Sequence, residues 1–220
     1  MSRFYKIQKD GKVKFLKTVA TAPQARKASG TVVASVTTKL ALFPNNRMRE
    51  WREVRIMELA RMLPEATYPE LSEMAWGVAP CLTTGEAIKV SDFGTNVHAA
   101  IESRLNSLRD TGEDTIKGSL VAYSGHSQGF IDYVQENNVE ILHTEYAIGC
   151  EKLLIAATAD FIGKLDGKVA LWDFKCRGGK TPLRDRAYDS DCMQLAVTAK
   201  MIQEQWDLDY MPRIFTAPGS

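Results

Sequence analysis

Residues 158–175 read TADFIGKLDGKVALWDFK, and this stretch decides the fold. Asp166-Gly167 separates two runs rich in Phe, Ile, Leu, Val and Trp. A two-residue Asp-Gly loop fits the tight hairpin turn that needs positive φ at both central positions. The two runs are therefore expected to be antiparallel strands in which Leu165 faces Lys168, Phe161 faces Trp172 and Asp160 faces Asp173. Counting outward from the hydrogen-bonded pair Leu165/Lys168 puts the two aspartates in a non-hydrogen-bonded pair, with Cα atoms about 4.5 Å apart. Alternation by two brings Lys175 to the same face. The other face carries Phe161, Leu165, Ala170, Trp172 and Phe174 and belongs to a core. Carboxylates directly opposite one another weaken a sheet. A divalent cation between them, a shared proton, or a nearby Arg or Lys offsets the repulsion. Lys175 meets part of that need and stands where a catalytic lysine would be wanted.

Upstream, VEILHTEYAIG (139–149) alternates as a strand and carries Glu145. Before it, a helix is expected from an Asp92 N-cap to about Leu108, with Phe93, Val97, Ile101, Leu105 and Leu108 as its apolar stripe. His98 lies at the edge of that stripe, one turn after Gly94 and one turn before Glu102. A further helix is expected over Leu120–Glu136, and its His126, like His143, reads as structural. Downstream of Lys175 comes CRGGKTP (176–182), followed by Arg184 and Arg186. This basic, Gly-rich segment is either a phosphate contact, through Arg177, Lys180 and Arg184, or a plain strand-to-helix connection. A last helix, 183–206, buries Tyr188, Cys192, Leu195, Ala199, Ile202 and Trp206 and leaves Gln194 on its flank. Residues 210–216 read as a final strand.

The N-terminal 30 residues read as a β-hairpin turning at Asp10-Gly11, then a loop over Thr21–Gly30. Ser35 caps a short helix, Val36–Leu42. An Arg- and Glu-rich helix follows over Arg47–Leu63, its charges interleaved as on a solvated face. Another helical stretch covers Pro69–Val78. Two parts result: 1–30, hairpin and loop, and 31–220, one domain with a helical portion to about 138 and a sheet core from about 139. The fold class is α/β: a mixed central β-sheet flanked by helices, with an N-terminal helical region.

The chain has 220 residues, 45% apolar and 25% charged, ordinary values for a globular protein. No run approaches the roughly 20 apolar residues of a membrane span, so no membrane partner is expected. The polar N-terminus does not read as a secretory signal. A cytoplasmic location is the expectation. The net charge of +1 excludes a uniformly basic surface but leaves room for a local basic cleft. Cys81, Cys150, Cys176 and Cys192 form no CxxC pair and no zinc spacing.

The order Asp160, turn, Asp173-x-Lys175, then a helix with Gln194-Leu195 resembles the core of the PD-(D/E)xK nucleases, and more narrowly their RecB-like exonuclease branch. Gly94-Thr95-Asn96-Val97-His98 fits the histidine helix of that branch. Ser35-Val36-Thr37-Thr38 and Trp51 look like the opening motifs of its phage and mitochondrial exonucleases. The resemblance runs from about Val33 to the C-terminus. It departs after Gln194, where relatives often have a Tyr and this chain has Val197, Thr198 and Ala199, and at the C-terminus, where relatives tend to continue into another helix.

The resemblance implies a metal-dependent DNA exonuclease. His98, Asp160, Asp173 and the Phe174 backbone carbonyl would hold Mg²⁺ or Mn²⁺. Asp160, Asp173, Lys175, Glu145 and Gln194 would be the catalytic set, with Glu145 either supporting a water or second ion or standing as an exposed strand charge. Ser35, Thr37, Arg177, Lys180 and Arg184 would touch DNA carrying a free end. Some relatives hold an iron–sulfur cluster through a late cysteine group that this chain lacks, so none is expected. An endonuclease on the same core, or a non-catalytic DNA-binding or assembly module, are the rival expectations.

Overall fold

The Asp-Gly hairpin forms as its sequence dictates. In the computed structural model, β7 (Ile155–Leu165) and β8 (Lys168–Cys176) pair antiparallel from Leu165↔Lys168 to Phe161↔Trp172. Asp166 and Gly167 take φ of 50° and 77°, the double positive-φ turn. The structure describes residues 4–8, 12–16, 21–28, 30–40, 46–75, 78–80, 87–176, 188–206 and 210–217. Arg177, Lys180 and Arg184 lie outside them.

The hairpin is the middle of a seven-stranded mixed sheet. Its other strands are β1 (Phe4–Ile7), β2 (Val13–Phe15), β3 (Thr31–Ser35), β6 (Glu140–Cys150) and β9 (Tyr210–Ala217). The order is β2-β1-β3-β7-β8-β9, with β6 on the far edge of β7. β3 joins β7, and β9 joins β8, in parallel; the remaining pairs are antiparallel. The N-terminal hairpin is thus an extension of the central sheet, bonded to it through β3. A separate two-stranded ribbon pairs β4 (Val78–Pro80) with β5 (Ala87–Lys89).

Two helical layers cover the central strands. On one face lie α5 (Val90–Thr111) and α6 (Ser124–Glu136), packed over Phe161, Leu165, Ala170, Trp172 and Phe174, the apolar face expected of the hairpin. Phe130 anchors this layer, edge-on to Phe161 and Phe174 at centroid distances of 5.7 and 4.7 Å. Burying one such ring contributes about 1.5–3 kcal/mol. On the other face α2 (Val36–Leu40) and α7 (Asp189–Trp206) pack over Ala157, Ala159, Ile162 and Leu171. A satellite helix pair, α3 (Asn46–Met62) and α4 (Tyr68–Met74), has its own small core of Ile56, Leu59, Leu71 and Ala75.

Several local expectations change: Tyr188 and Cys192, expected to be buried, are exposed, and Val78, expected in a helix, opens β4. Residues 22–27, read as loop, form α1 (Ala22–Lys27), closed by a capping box in which Thr21 and Gln24 each satisfy the other's backbone N–H. α5 begins before Asp92: β5 runs straight into it, Lys89 precedes its first turn with no side-chain cap, and Asp92 lies inside that turn, favourably placed for the helix dipole. The expected helix 120–136 divides into a 3-10 stretch, Gly118–Tyr123, and α6.

α5 is fixed by a buried arginine. Arg104, 4% exposed, grips the Asp114 carboxylate with two nitrogens and donates to Ser127 Oγ, Ser124 O and Gln128 Oε1. A buried guanidinium is tolerated only when so fully bonded. The network ties α5 to α6 and to the segment between them, and it holds the His98 turn over the sheet. His126, read as structural, is buried edge-on against Phe93 at 4.6 Å.

Candidate metal centre

The site forms where β7 forks. On one long edge β7 keeps β6 for its whole length. On the other it pairs with β3 only at Ile155 and Ala156, and with β8 only from Phe161 onward. Asp160 stands between, at the mouth of the opening. The hairpin ladder therefore stops one pair short of Asp160/Asp173, and the backbone N–H of Phe174 donates to Asp160 Oδ2 at 2.6 Å. A side chain has taken the place of a ladder bond, which keeps the strands apart.

Alternation also slips at this point. Ala157, Ala159 and Ile162 pack toward α7, whereas Phe161 and Leu165 pack toward α5 and α6. A strict period of two would not put Ala159 and Ile162 on one face. The two carboxylates consequently meet different layers, instead of sharing one face as strict alternation requires. Asp160 looks to α5, where His98 Nδ1 is 3.7 Å from its Oδ2. Asp173 looks to α7, where Gln194 Nε2 donates to its Oδ1 at 3.1 Å.

The third group at Asp160 comes from β6. Thr144 pairs with Phe161 and Tyr146 with Ala159, so Glu145 is opposite Asp160 in the register. Glu145 has φ of 45°. A non-glycine residue in the left-handed region costs about 1–2 kcal/mol, and such strain concentrates where a side chain must be aimed. Its effect is visible: ligand atoms of His98, Glu145 and Asp160 lie within 4.8 Å of one another. The His98 ring is fixed edge-on to Phe174 at 5.7 Å. Gly94, one turn earlier, faces Cys176 across 3.8 Å measured from an added Cβ, so a larger side chain would fill the space between α5 and the end of β8.

Asp173 is 5% exposed and lies beside this trio rather than in it. Lys175 Nζ approaches its Oδ2 to 2.6 Å, yet that oxygen lacks a well-aligned hydrogen bond. Burial, then the charge of Asp160, push the Asp173 carboxyl up to about 6, against the pull of Lys175; Asp191, in the first turn of α7, adds to the push. Cys176, next to Lys175, is held protonated near 11 by burial and by Asp160, which makes it a poor nucleophile. Asp191 is a charged neighbour that the sequence analysis did not single out.

Ser35 and Thr37 sit at the other side of the opening. Ser35, paired with Ala156 where β3 leaves β7, is buried. Its Oγ donates to Thr38 Oγ1 at 2.8 Å, accepts from the Thr38 N–H at 3.0 Å, and lies 2.9 Å from Thr37 Oγ1. Thr37 is exposed. Ser35 thus acts first as the cap of α2, as its sequence suggested.

Two carboxylates and an imidazole are hard-to-borderline donors of the kind that suit Mg²⁺ or Mn²⁺. Among the described residues, Asp160 and Asp191 both act on the buried Asp173 carboxyl, and Lys175 is the cation that opposes them. No helix among the described residues is long and apolar enough to cross a membrane. No family model matches the chain, and no curated protein matches it.

Proposed function

We propose that the protein is a metal-dependent deoxyribonuclease of the PD-(D/E)xK type, hydrolysing phosphodiester bonds from DNA ends. The observation that carries this reading is the convergence at the β7 fork: His98, Glu145 and Asp160 clustered within 4.8 Å, with Asp173 and Lys175 on the adjoining strand. The end-dependence rests on the resemblance of the motifs alone.

The residues divide the work by their surroundings. His98, Glu145 and Asp160 would hold Mg²⁺ or Mn²⁺, with Asp173 and the Phe174 carbonyl beside them. A bound divalent ion supplies Lewis acidity to a phosphoryl oxygen and a more acidic water. Lys175, 21% exposed by its side chain, would present a point charge to the phosphoryl oxygens, where negative charge grows. Asp173 holds Lys175 in place, and Gln194 holds Asp173. Gln194 is accordingly a positioning residue acting through Asp173. Ser35 shapes the wall of the opening, leaving Thr37 to face the substrate.

The test is cleavage of linear and of covalently closed circular DNA with Mg²⁺, Mn²⁺ or chelator, with Lys175→Ala in parallel. The expected result is degradation of the linear form, with metal only, by the wild type only. Nicking of the circle retains the chemistry and removes end-dependence. Equal cleavage by Lys175→Ala sinks the assignment of the site.

A further inference from the structure

Nine of the first 40 residues are basic and one, Asp10, is acidic, a net of +8. The whole chain carries 28 basic and 27 acidic residues, so the remaining 180 carry a net of −7. A near-neutral total hides two oppositely charged parts, which is a signature of a polyanion-binding arm.

The fold arranges these charges. In the β1–β2 hairpin Tyr5 faces Phe15 and Ile7 faces Val13, and Tyr5, Ile7 and Val13 form a small core with Val33 and Ala156 on one side. Lys6 faces Lys14 on the opposite side, and alternation adds Lys12 to it. Like charges directly opposite one another weaken a strand pair. The Lys6 stem lies against Gly30, whose added Cβ would be 2.9 Å from Lys6 Cε, and α1 just before it ends on the exposed Arg26 and Lys27. Because Tyr5, Val33 and Ala156 share the inner side, the lysines leave by the face that carries Ala157 and Ala159. That is the face α7 covers, where Asp173 meets Gln194.

We infer that Lys6, Lys12, Lys14, Arg26 and Lys27 form a phosphate-backbone track that holds the DNA remote from the cleaved bond. The inference rests on the nuclease reading above. Its reach follows from the register. Lys6 pairs with Val32, three residues before Ser35, and Ser35 pairs with Ala156, four before Asp160. At about 3.3 Å per residue and 4.8 Å per strand, the Lys6 backbone stands roughly 25 Å along the sheet from the fork at Asp160, the gap that joins the α7 face to the α5 face. At 3.4 Å per nucleotide of one duplex strand, that is about seven nucleotides.

The test is fluorescence anisotropy in chelator, with labelled single- and double-stranded DNA of about 30 nucleotides, over a salt series. Lys12→Gln/Lys14→Gln/Lys27→Gln is compared with wild type and with Lys117→Gln, an exposed lysine outside the track. Three lost phosphate contacts lower the slope of log affinity against log salt by about 2 for single strands and about 2.7 for duplex. Affinity near 0.15 M salt falls on the order of 100-fold, and Lys117→Gln changes neither value. With metal, the cleavage deficit of the triple variant is large on long substrates and shrinks on those under about seven nucleotides. If the triple variant melts at a lower temperature, Arg26→Gln/Lys27→Gln on α1 is read instead, with a slope change of about 1.4–1.8. Wild-type binding with an unchanged slope in the variants overturns the track and leaves the nuclease reading standing. So does loss of binding to anionic vesicles with DNA binding intact, which makes the face a lipid-headgroup surface. Failure of the wild type to bind either DNA overturns both readings together.

Discussion

Replacing Asp173 by Asn should stabilise the metal-free protein while it destroys the proposed activity. Asp173 is 5% exposed, and its carboxyl is raised from 3.8 to about 6, first by burial and then by Asp160. A folded pKa above the unfolded one means that the folded state binds the proton more tightly. The associated stability is present below about pH 4 and is lost as pH rises through about 6. The rise from 3.8 to about 6 corresponds to about 3 kcal/mol as an upper bound on the cost of the charge at pH 8. Asn removes the charge and keeps an oxygen for Gln194 to donate to. It also strips Lys175 of its anion, so the net gain is about 1–2 kcal/mol, or about 2–8 °C in melting temperature for a chain of this size. Calorimetry or a fluorescence melt in EDTA at pH 8 measures it, and the gap should close toward pH 4. If Asp173→Asn melts below the wild type at pH 8 in chelator, the charge is already well satisfied by Lys175, and the case for a cation at this fork loses its electrostatic ground.

Two further outcomes test the rest of the cluster. His98→Ala should raise the Mn²⁺ concentration needed for half-maximal cleavage by about tenfold, with a smaller effect at saturating metal, since one of three neighbouring ligands is lost; a normal metal titration would leave His98 as packing against Phe174. Glu145→Gly should leave the metal-free stability within about 1 kcal/mol, because relief of positive φ roughly offsets the entropy of the glycine. The same substitution should weaken Mn²⁺ binding measured by calorimetry, and unaltered binding would mean that the strained backbone serves the path of β6 and not a ligand.

The hairpin was legible because its information is local. Asp166-Gly167 fixes the turn, the turn fixes the register, and the register names Phe161, Trp172 and the aspartates. The slip at Asp160 was not legible, because nothing in the sequence of β7 announces it. It follows from competition: β3 claims Ile155 and Ala156, β8 claims Phe161 onward, and β9 takes the other edge of β8 as far as Cys176. These are non-local pairings. The strand TVVAS (31–35) was not read as one: within it only Ser35 was singled out, as a helix cap, and a five-residue strand carries little local signal. The helix after Thr21 was the opposite case, since Thr21 and Gln24 stand at capping-box spacing, a local signal that the loop reading passed over. His98 could be named but not placed: its turn is held by Arg104, whose partners Asp114, Ser127 and Gln128 are brought to it by the return of α6.

The fork gives a physical reason for chemistry at this point of the sheet rather than at another. An ordinary ladder would bond the Phe174 N–H to a carbonyl of β7 and leave Asp160 pointing along the alternation. Here the Asp160 carboxylate accepts that N–H and becomes a strut of the opening. The same residue therefore supports the gap and lines it. This couples geometry to charge: Asp160→Asn could still accept the N–H through its Oδ1, whereas Asp160→Ala would leave the Phe174 N–H to seek a β7 carbonyl and let the strands close. The asparagine should then retain the splayed fork while losing cation affinity, and the alanine should lose both. Amide exchange at Phe174 separates the two cases, with protection rising in the alanine variant alone. Protection unchanged in both variants would show that β3 and β9, not the carboxylate, keep β7 and β8 apart.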